Sequence, residues 1–293
     1  MSVLLTGASG QLGAYLLREL TERGQDVVAW SGSHSGQLEG VPLRPVDLAD
    51  PDRVVAAFRE SRPSLVIHCA AMAGVADCYR DPQRARQVNT GGTAVLTELA
   101  VRSGARLVLV STDLVFDGEC GCYRETDPPR PLSVYGQTKA QAESHVLVAP
   151  RGVVVRVSLL FGPTRTGRPS FFDQQVSALR EGHAVNLFED EWRTPIALCV
   201  AASGLVAIAA SDHVGLLHLG GPQRLSRFEM GRRLAMCLGA DPSLIVPSVR
   251  AAAPFAEPRP RDTSLDSSRW RTLFPRQPWP EFESAIAQMT PQP

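Results

Sequence analysis

The sequence predicts an α/β fold in which a doubly wound parallel sheet carries a smaller C-terminal substrate lobe. Short apolar runs alternate with amphipathic helical segments through the first half of the chain. These runs are continuous, as in strands that are buried on both faces, rather than alternating with polar residues. After about Ser158 prolines and arginines become frequent, and helical segments are separated by irregular stretches. This change marks the start of the second, smaller lobe.

The predicted elements of the first part follow one another as strand, helix, strand. The strands are Val3–Leu5, Val27–Trp30, Leu65–Ile67, Leu107–Val110 and Val153–Val155. The helices are a segment from Leu12 to Gly24, Pro51–Ser61, a long helix from about Pro82 to Gly104, and a helix that begins near Val134. In the second part the apolar spacing predicts helices at Phe171–Glu181 and Phe228–Leu238.

The composition argues against several classes of function. Lys and Arg total 30, as do Asp and Glu, and a formal net charge of zero argues against a dedicated nucleic-acid binder. No apolar run has membrane-spanning length, and the chain enters its first strand without a charged leader, so we expect neither a membrane segment nor a signal peptide. The cysteines are scattered, and Cys120 and Cys122 have no histidine or second pair nearby. We therefore expect free thiols, a cytoplasmic location and no metal site.

The first strand runs directly into TGASGQLG, which opens the first helix. Gly7, Gly10 and Gly13 have the spacing G-x-x-G-x-x-G. A phosphate group has to approach backbone N–H groups at such a helix N-terminus, where a side chain would block it. A tight strand–helix turn is the alternative, but in this position we favour a dinucleotide, with Gln11 and Leu12 also in contact with it. Residues 1–158, with returns near 195–219 and 262–265, are then an NAD(P)-binding Rossmann-like domain. Residues 159–194 and 220–293 form the substrate lobe.

The second strand ends at Ser31, where NAD-specific sites usually place an acid for the ribose 2′-hydroxyl. Ser31 is not an acid, and the turn Ser31–His34 leaves room for a 2′-phosphate, although no arginine lies in that turn. We predict NADP(H) as the preferred cofactor and NAD(H) as the alternative. Asp47, with Leu48 beside it, either contacts the adenine edge or only begins the next helix; for Asp50 we favour the helix cap.

Small side chains follow the strand Leu65–Ile67. Ala70 and Ala71, with Met72 after them, would let the cofactor lie against the backbone. We expect His68 to be hydrogen-bonded at the end of the sheet rather than catalytic.

Polar residues end the strand Leu107–Val110, and a tyrosine and a lysine follow on the next helix. Thr112 and Asp113 lie at the carboxyl edge of the sheet, where doubly wound folds bind ligands, although such residues are also common as caps. Tyr135 and Lys139 are four residues apart and share a helix face. Alone, such a pair is worth a few tenths of a kcal/mol. Beside Thr112 the pair indicates a catalytic site.

Together these motifs resemble the extended short-chain dehydrogenase/reductase superfamily. STDLVFDG, YRETDPPRPLSVYGQTKAQAE and RPRDTSLDSSR are similar to the dTDP-4-dehydrorhamnose reductase family. GLLHLGGPQRLSRFEMGRRLA is similar to that family too, and both it and RPRDTSLDSSR resemble still more a relative of the family, the regulatory beta subunit of methionine adenosyltransferase. The resemblance covers essentially the whole chain.

The resemblance implies an NAD(P)H-dependent reductase of a nucleotide-activated 4-keto-6-deoxy sugar. It makes Tyr135 the proton donor, Lys139 the group that lowers the tyrosine pKa and binds the nicotinamide ribose, and Thr112 the holder of the carbonyl oxygen. Leu114 stands where related 4,6-dehydratases carry a glutamate, so dehydration is not expected. A cofactor-holding regulatory subunit without turnover is the alternative, and a sugar-nucleotide epimerase is a weaker one.

Four residues are candidates for contact with the substrate. They are Asp113, Arg193, Arg259 and Arg261. The arginines would clamp a diphosphate bidentately, unless they are simply solvated surface residues, and Arg259 and Arg261 can diverge around Pro260. The expected partners are this nucleotide-sugar substrate and, as one option, a second copy of the chain in a homodimer.

Overall fold

A mostly parallel sheet organises the chain, whose computed structural model describes residues 2–289. In chain order the strands are β1 (Ser2–Thr6), β2 (Asp26–Ser31), β3 (Gly36–Leu38), β4 (Val41–Pro45), β5 (Leu65–His68), β6 (Arg106–Thr112), β7 (Gly152–Val157), β8 (Leu160–Phe161), β9 (Val185–Phe188), β10 (Trp192–Arg193), β11 (Ile196–Ala197), β12 (Gly215–Leu219), β13 (Leu225–Ser226) and β14 (Ile245–Ser248). Eight of them form the central sheet in the order β12-β7-β6-β5-β1-β2-β4-β3, and only the β3–β4 pairing is antiparallel. The predicted doubly wound α/β fold is confirmed.

Helices cover both faces of the sheet. They are α1 (Gln11–Glu22), α2 (Pro51–Ser61), α3 (Val75–Arg80), α4 (Pro82–Ala85), α5 (Gly92–Ser103), α6 (Val134–Leu147), α7 (Phe171–Arg180), α8 (Leu198–Ala209), α9 (Arg227–Cys237), α10 (Ser268–Leu273) and α11 (Phe282–Met289). Neighbouring residues of one strand belong to different cores: Leu107 and Leu109 pack towards α2, α5 and α6, and Val108 packs towards α1 and α8. This period of two explains why the strands read as continuous apolar runs.

One predicted helix departs from the α-helical form. The segment predicted from Pro82 to Gly104 contains α4, a π-helix at Arg86–Gly91 and α5. A Cβ at Gly92 would lie 2.8 Å from the Cβ of Leu48, so this helix passes close to the Leu48 backbone and tolerates no side chain there. π-Helical turns of this kind often lie at functional sites because they redirect one side chain.

The edge strand β3 and its neighbour β4 were not predicted. Residues 41–45 contain two prolines and are only partly buried, which removes the continuous apolar signal. Pro42 lies outside the pairing of β4 with β2 and Pro45 ends it, positions at which a sheet tolerates proline.

The later part of the chain returns to the sheet and also builds short pairings outside it. Strand β12 pairs with β7 in parallel, while β9 pairs with β14, β10 with β13 and β8 with β11. Leu265 bridges Tyr123, and Asp262 bridges Trp192. The division into a domain of residues 1–158 with returns and a separate lobe stays a prediction. Within residues 2–289 no helix combines the length and the apolarity that crossing a bilayer requires.

Candidate active site

A cavity of about 930 Å³ opens at the carboxyl edge of the sheet. The ends of β1, β2, β5, β6 and β7 contribute to its walls through residues such as Gly7, Ser31, Ala70, Thr112 and Val157. A large cleft at this edge is where doubly wound folds bind their ligands. Every predicted cofactor-binding and catalytic residue lines it, as do Asp113, Arg193 and Arg259.

The β1–α1 turn forms one end of the cleft. Gly7 has a φ of 73°, and a Cβ there would lie 2.7 Å from the Ala70 amide nitrogen. A Cβ at Gly13 would lie 1.9 Å from the carbonyl oxygen of Gly7. These two glycines therefore allow the turn to pack tightly against its surroundings. Gly10 caps α1 without a side-chain hydrogen bond and no acid follows in the first turn, so the helix N-terminus suits an anion.

This end of the cleft fits a dinucleotide on the evidence of its own residues. The side-chain oxygen Oε1 of Gln11 is buried without a partner, while its Nε2 donates to the Thr164 hydroxyl (2.9 Å) and to the Arg168 carbonyl (2.8 Å). A buried acceptor without a donor is costly unless a ligand or water satisfies it. The uncapped helix end offers N–H donors to an anionic group, and the Gln11 oxygen requires a donor such as a hydroxyl group; a dinucleotide carries both.

We expect Gly10→Val to reduce dinucleotide affinity by at least an order of magnitude, since the β-branched side chain would stand at the uncapped helix end. The Cβ at position 10 would lie 3.2 Å from the Gly7 carbonyl oxygen, a contact that a small local shift can relieve. Gly13→Val is different, because its Cβ would collide with backbone. Titration calorimetry and thermal unfolding of both variants check this. Undiminished binding by folded Gly10→Val would contradict it.

The two acids after β4 have separate roles. Asp47 lines the cleft and accepts two hydrogen bonds from one Arg84 nitrogen (2.8 Å each) and one from the Ala49 amide. Burial raises its pKa, but these hydrogen bonds outweigh it, so the pKa lies below its ordinary value. Asp50 caps α2 by accepting from the Arg53 amide, which confirms the expectation for that residue.

Asn89, in the π-helix, fixes the backbone of Met72, which lines the cleft, and was missed by sequence reasoning. Its Oδ1 accepts from the Met72 amide (2.8 Å), and its Nδ2 donates to the Met72 carbonyl (3.1 Å) and the Thr138 hydroxyl (3.0 Å). One buried side chain thus ties the segment after β5, with Ala70 and Ala71, to helix α6. The only sequence signal for it would have been the Gly91–Gly92 pair just after it.

Both ring nitrogens of His68 are hydrogen-bonded at the end of the sheet, as expected. Its ring nitrogens lie 2.6 Å from the Thr6 hydroxyl and 3.0 Å from that of Thr93. Burial, and then the positive charge of Lys139, lower its pKa to about 3, so it stays neutral.

Thr112, Tyr135 and Lys139 meet at the other end of the cleft. The Lys139 ammonium is buried and donates to the Val110 carbonyl (2.8 Å). Burial lowers the Lys139 pKa to about 8, against the opposing effect of the Glu143 carboxylate. Thr112 accepts from the Leu114 amide (3.1 Å). The three side chains come together from two elements, β6 and α6.

The pKa of Tyr135 differs from what the resemblance implied. Burial raises it well above its ordinary value, the Asp113 carboxylate raises it further, and a hydrogen bond with Thr112 only partly opposes them. The lowering assigned to Lys139 is absent here because the ammonium is directed at Val110 and because burial disfavours the phenolate. The phenol is therefore protonated at neutral pH, as a proton donor has to be, but the raised pKa makes it a weaker acid than a free tyrosine.

Asp113 lies in the wall of the cleft with its carboxylate held by the protein. It accepts from the Thr263 hydroxyl (3.0 Å) and the Ser158 hydroxyl (3.2 Å), and the Arg193 Nε lies 3.5 Å away. Burial raises its pKa, opposed by Arg193 and by these hydrogen bonds. Asp113 therefore ties the end of β6 to later parts of the chain in addition to facing the cleft.

Three arginines that line the cleft surround one fully buried carboxylate. Glu191 accepts from Arg259 (2.8 and 3.0 Å) and Arg227 (3.0 Å), and an Arg193 nitrogen lies 3.4 Å away. Burial raises the Glu191 pKa, but the three guanidinium charges bring it below its ordinary value. The three arginines face two buried carboxylates, Glu191 and the Asp113 that Arg193 also contacts, which leaves a net positive charge on the cleft wall that suits a diphosphate. Arg227 and Glu191 were not predicted, since only the fold brings them together.

Arg261 is a correction to the predicted set. It does not line the cleft, and its guanidinium lies over the Trp192 ring at 5.3 Å from the ring centre. Arg259, on the other side of Pro260, is directed at Glu191 instead. The two side chains diverge around the proline, so only one of them faces the site.

A buried polar network lies one helical turn beyond Lys139. Arg156 of β7 donates to both carboxylate oxygens of Glu143 of α6 (2.7 and 3.0 Å), and the Ser111 hydroxyl donates to the same carboxylate. An Arg156 nitrogen lies 3.4 Å from His218 Nε2, and the His218 Nδ1 lies 3.0 Å from the Tyr123 carbonyl. Burial and the Arg156 charge lower the pKa of His218 to about 3.

Comparisons with known proteins agree over nearly the whole chain. The model of the RmlD substrate binding domain matches residues 1–292. A probable dTDP-4,6-dihydroxy-2-methyloxan-3-one 4-ketoreductase from Streptomyces antibioticus is 33% identical, covering 99% of this chain and 95% of that protein. A dTDP-4-dehydrorhamnose reductase from Streptomyces griseus is 33% identical, covering 94% and 90%.

A further relative and a solved structure extend the comparison. Methionine adenosyltransferase 2 subunit beta from Bos taurus is 28% identical, covering 92% of this chain and 82% of that protein. The crystal structure of a hypothetical dTDP-4-dehydrorhamnose reductase from Sulfolobus tokodaii has a TM-score of 0.84 and 30% identity, covering 97% and 98% of the two chains.

Proposed function

Because the chain belongs to the RmlD substrate binding domain family, we propose that it is an NAD(P)H-dependent reductase of a nucleotide-activated 4-keto-6-deoxy sugar. The resemblance to dTDP-4-dehydrorhamnose reductases is thereby confirmed at the level of the family. The observation that carries the proposal is the meeting of Thr112, Tyr135 and Lys139 in one cleft with the glycine turn of α1. These side chains can bind a carbonyl oxygen and deliver a proton to it, as the reduction of a ketone requires.

The residues of the chain divide the work of the reduction. The bound reduced dinucleotide supplies the hydride. The Thr112 hydroxyl holds the carbonyl oxygen, and the Tyr135 phenol gives its proton to that oxygen as negative charge develops there. The Lys139 ammonium places a positive charge beside the reacting groups, and the partly neutralised arginines around Glu191 hold the diphosphate of the substrate.

The dinucleotide is held by the α1 end of the cleft. We assign Gly7, Gly10, Gln11, Leu12 and Gly13 to its phosphates. Ser31, Asp47 and Leu48 face its adenosine part, and Ala70, Ala71 and Met72 line the wall between the two ends. Ser31 in place of an acid favours NADP(H), and NAD(H) is the second choice.

The proposal is tested by supplying a dTDP-4-keto-6-deoxy sugar with NADPH and following absorbance at the nicotinamide band together with the product mass. A reductase consumes one NADPH per product and adds two hydrogens to the sugar. An epimerase changes neither quantity. A chain that binds NADPH and the sugar nucleotide but turns over nothing would instead be the regulatory subunit that the methionine adenosyltransferase relative suggests.

Lys139→Met and Thr112→Val distinguish an effect on the reaction rate from an effect on dinucleotide binding. We expect Lys139→Met to lower the rate by about 10²-fold or more and also to weaken dinucleotide binding, since the ammonium serves both. We expect Thr112→Val to lower the rate while leaving the dinucleotide Kd nearly unchanged. Thr112→Ser is the matched control, because it keeps the hydroxyl that also accepts from the Leu114 amide. Loss of dinucleotide affinity in Thr112→Val alone would contradict the assignment.

We also propose that the protein acts in the cytoplasm, binds no nucleic acid and associates as a homodimer. The zero formal net charge supports the second point. Light scattering at micromolar concentration measures the molar mass in solution. The mass of a monomer would contradict the proposed homodimer.

A further inference from the structure

The segment 163–170, between β8 and α7, is hydrogen-bonded across to α1 and contributes Arg168 to the cleft; we call it the crossing loop. The Tyr15 hydroxyl donates to the Pro163 carbonyl (2.8 Å), and Gln11 donates to the Thr164 hydroxyl and the Arg168 carbonyl. Both donors belong to α1. The crossing loop is therefore fixed to the helix whose N-terminus we assign to the dinucleotide phosphates.

The crossing loop presents one arginine to the cleft. The Arg168 guanidinium lines it and lies 2.9 Å from the His34 Nε2. Within residues 2–289 Arg168 forms no ion pair with a carboxylate, although most of the nearby arginines do: Arg165 pairs with Glu39 at 3.0 Å. A guanidinium whose side-chain partner is an imidazole keeps its full positive charge for a ligand.

This charge lies beside the turn that follows β2. Ser31, Ser33 and His34 all line the cleft there, and Ser31 donates to the His34 carbonyl, which shapes the turn. The end of the second strand is where the adenosine ribose of a bound dinucleotide lies, and an arginine nearby accommodates a 2′-phosphate. The arginine that the turn itself lacks is thus supplied from a position 134 residues away in the sequence.

A second arginine at this end of the cleft is a weaker candidate. Arg84 also lines the cavity, but one of its nitrogens already donates to both oxygens of Asp47. Its charge is compensated and its orientation fixed.

We propose that Arg168, with His34 beside it, forms a clamp that reads the 2′-phosphate of NADP(H) and so sets the cofactor preference. This inference rests on the proposed function only in assuming that the cleft binds a dinucleotide. The clamp is closed by the crossing loop rather than by the turn after β2, so cofactor preference depends on a segment far from it in sequence.

The test compares wild type, Arg168→Ala and Arg165→Ala in titrations with NADPH, NADH, 2′,5′-ADP and 5′-ADP. Hydrogen bonds to charged groups contribute enough to predict a loss of about 10- to 100-fold in the affinity of Arg168→Ala for NADPH and 2′,5′-ADP. The Kd values for NADH and 5′-ADP should change by less than about twofold, since neither carries the 2′-phosphate. Arg165→Ala is the matched control from the same loop, and its ratio of NADPH to NADH affinity should equal that of wild type.

Two results would overturn the clamp. The first is an equal loss of NADPH and NADH affinity in Arg168→Ala, which would mean that the loop only covers the cofactor. The second is an unchanged NADPH affinity. The reductase proposal fails on a different result, namely selective NADPH binding through Arg168 with no turnover of any keto sugar. That result would support the clamp and contradict the proposed reductase activity.

Discussion

Replacing Tyr135 by phenylalanine lowers the rate of ketone reduction by about 10²–10⁴-fold, while the protein still folds and still binds its dinucleotide. Only the phenolic hydroxyl is lost, and the size of the loss is that of a general acid. Tyr135 lies in the cleft, and once its hydroxyl is removed water has to deliver the proton in its place. Initial rates with saturating NADPH, together with the NADPH Kd, measure both halves of the expectation.

Tyr79→Phe is the matched control for this experiment. Tyr79 is on α3, is 48% exposed and does not line the cleft, so its hydroxyl has no part in the chemistry. Its rate should equal that of the parent chain. A parental rate in Tyr135→Phe would show that another group protonates the product oxygen.

Arg156→Met destabilises the protein by about 3–5 kcal/mol, because it strands the Glu143 carboxylate in the interior. Both side chains of this pair are 3% exposed. Adding Glu143→Gln removes the stranded charge while keeping an acceptor for Ser111, so the double variant should recover part of the loss. Urea unfolding of the two single variants and the double variant measures the coupling between the two residues.

An exposed ion pair provides the comparison. Arg102 and Glu98 are one turn apart on α5 and are 72% and 60% exposed. Arg102→Met should cost less than about 1 kcal/mol, since water already screens that pair. If Arg156→Met cost no more than Arg102→Met, the buried network would not be a determinant of stability.

Much of the fold could be predicted because its signals are local. A strand such as β6 is buried on both faces, so its apolar run is continuous in the sequence. The glycines of the β1–α1 turn and the pair Tyr135 and Lys139 are short motifs with fixed spacing. Their elements bring them to one cleft once the sheet is formed.

The features that were missed depend on contacts between distant parts of the chain. Glu191 and Arg227 are 36 residues apart, and Asn89 contacts Thr138 across 49 residues. The divergence of Arg259 and Arg261 depends on which neighbour each guanidinium finds, Glu191 or Trp192. The direction of the Tyr135 pKa depends on burial and on Asp113, which spacing along a helix does not reveal.

The Glu143–Arg156 pair also fixes the alignment of β7. Arg156 is the one charged residue of this strand and shares a face with Val154, which packs on the α6 side; Val153 and Val155 pack on the other. A slip of one residue would turn Arg156 towards the apolar α1–α8 side and leave Glu143 unpaired. Misaligned strands would therefore bury two uncompensated charges at once. The pair therefore fixes the register of a strand whose valines would otherwise pack almost equally well in either alignment.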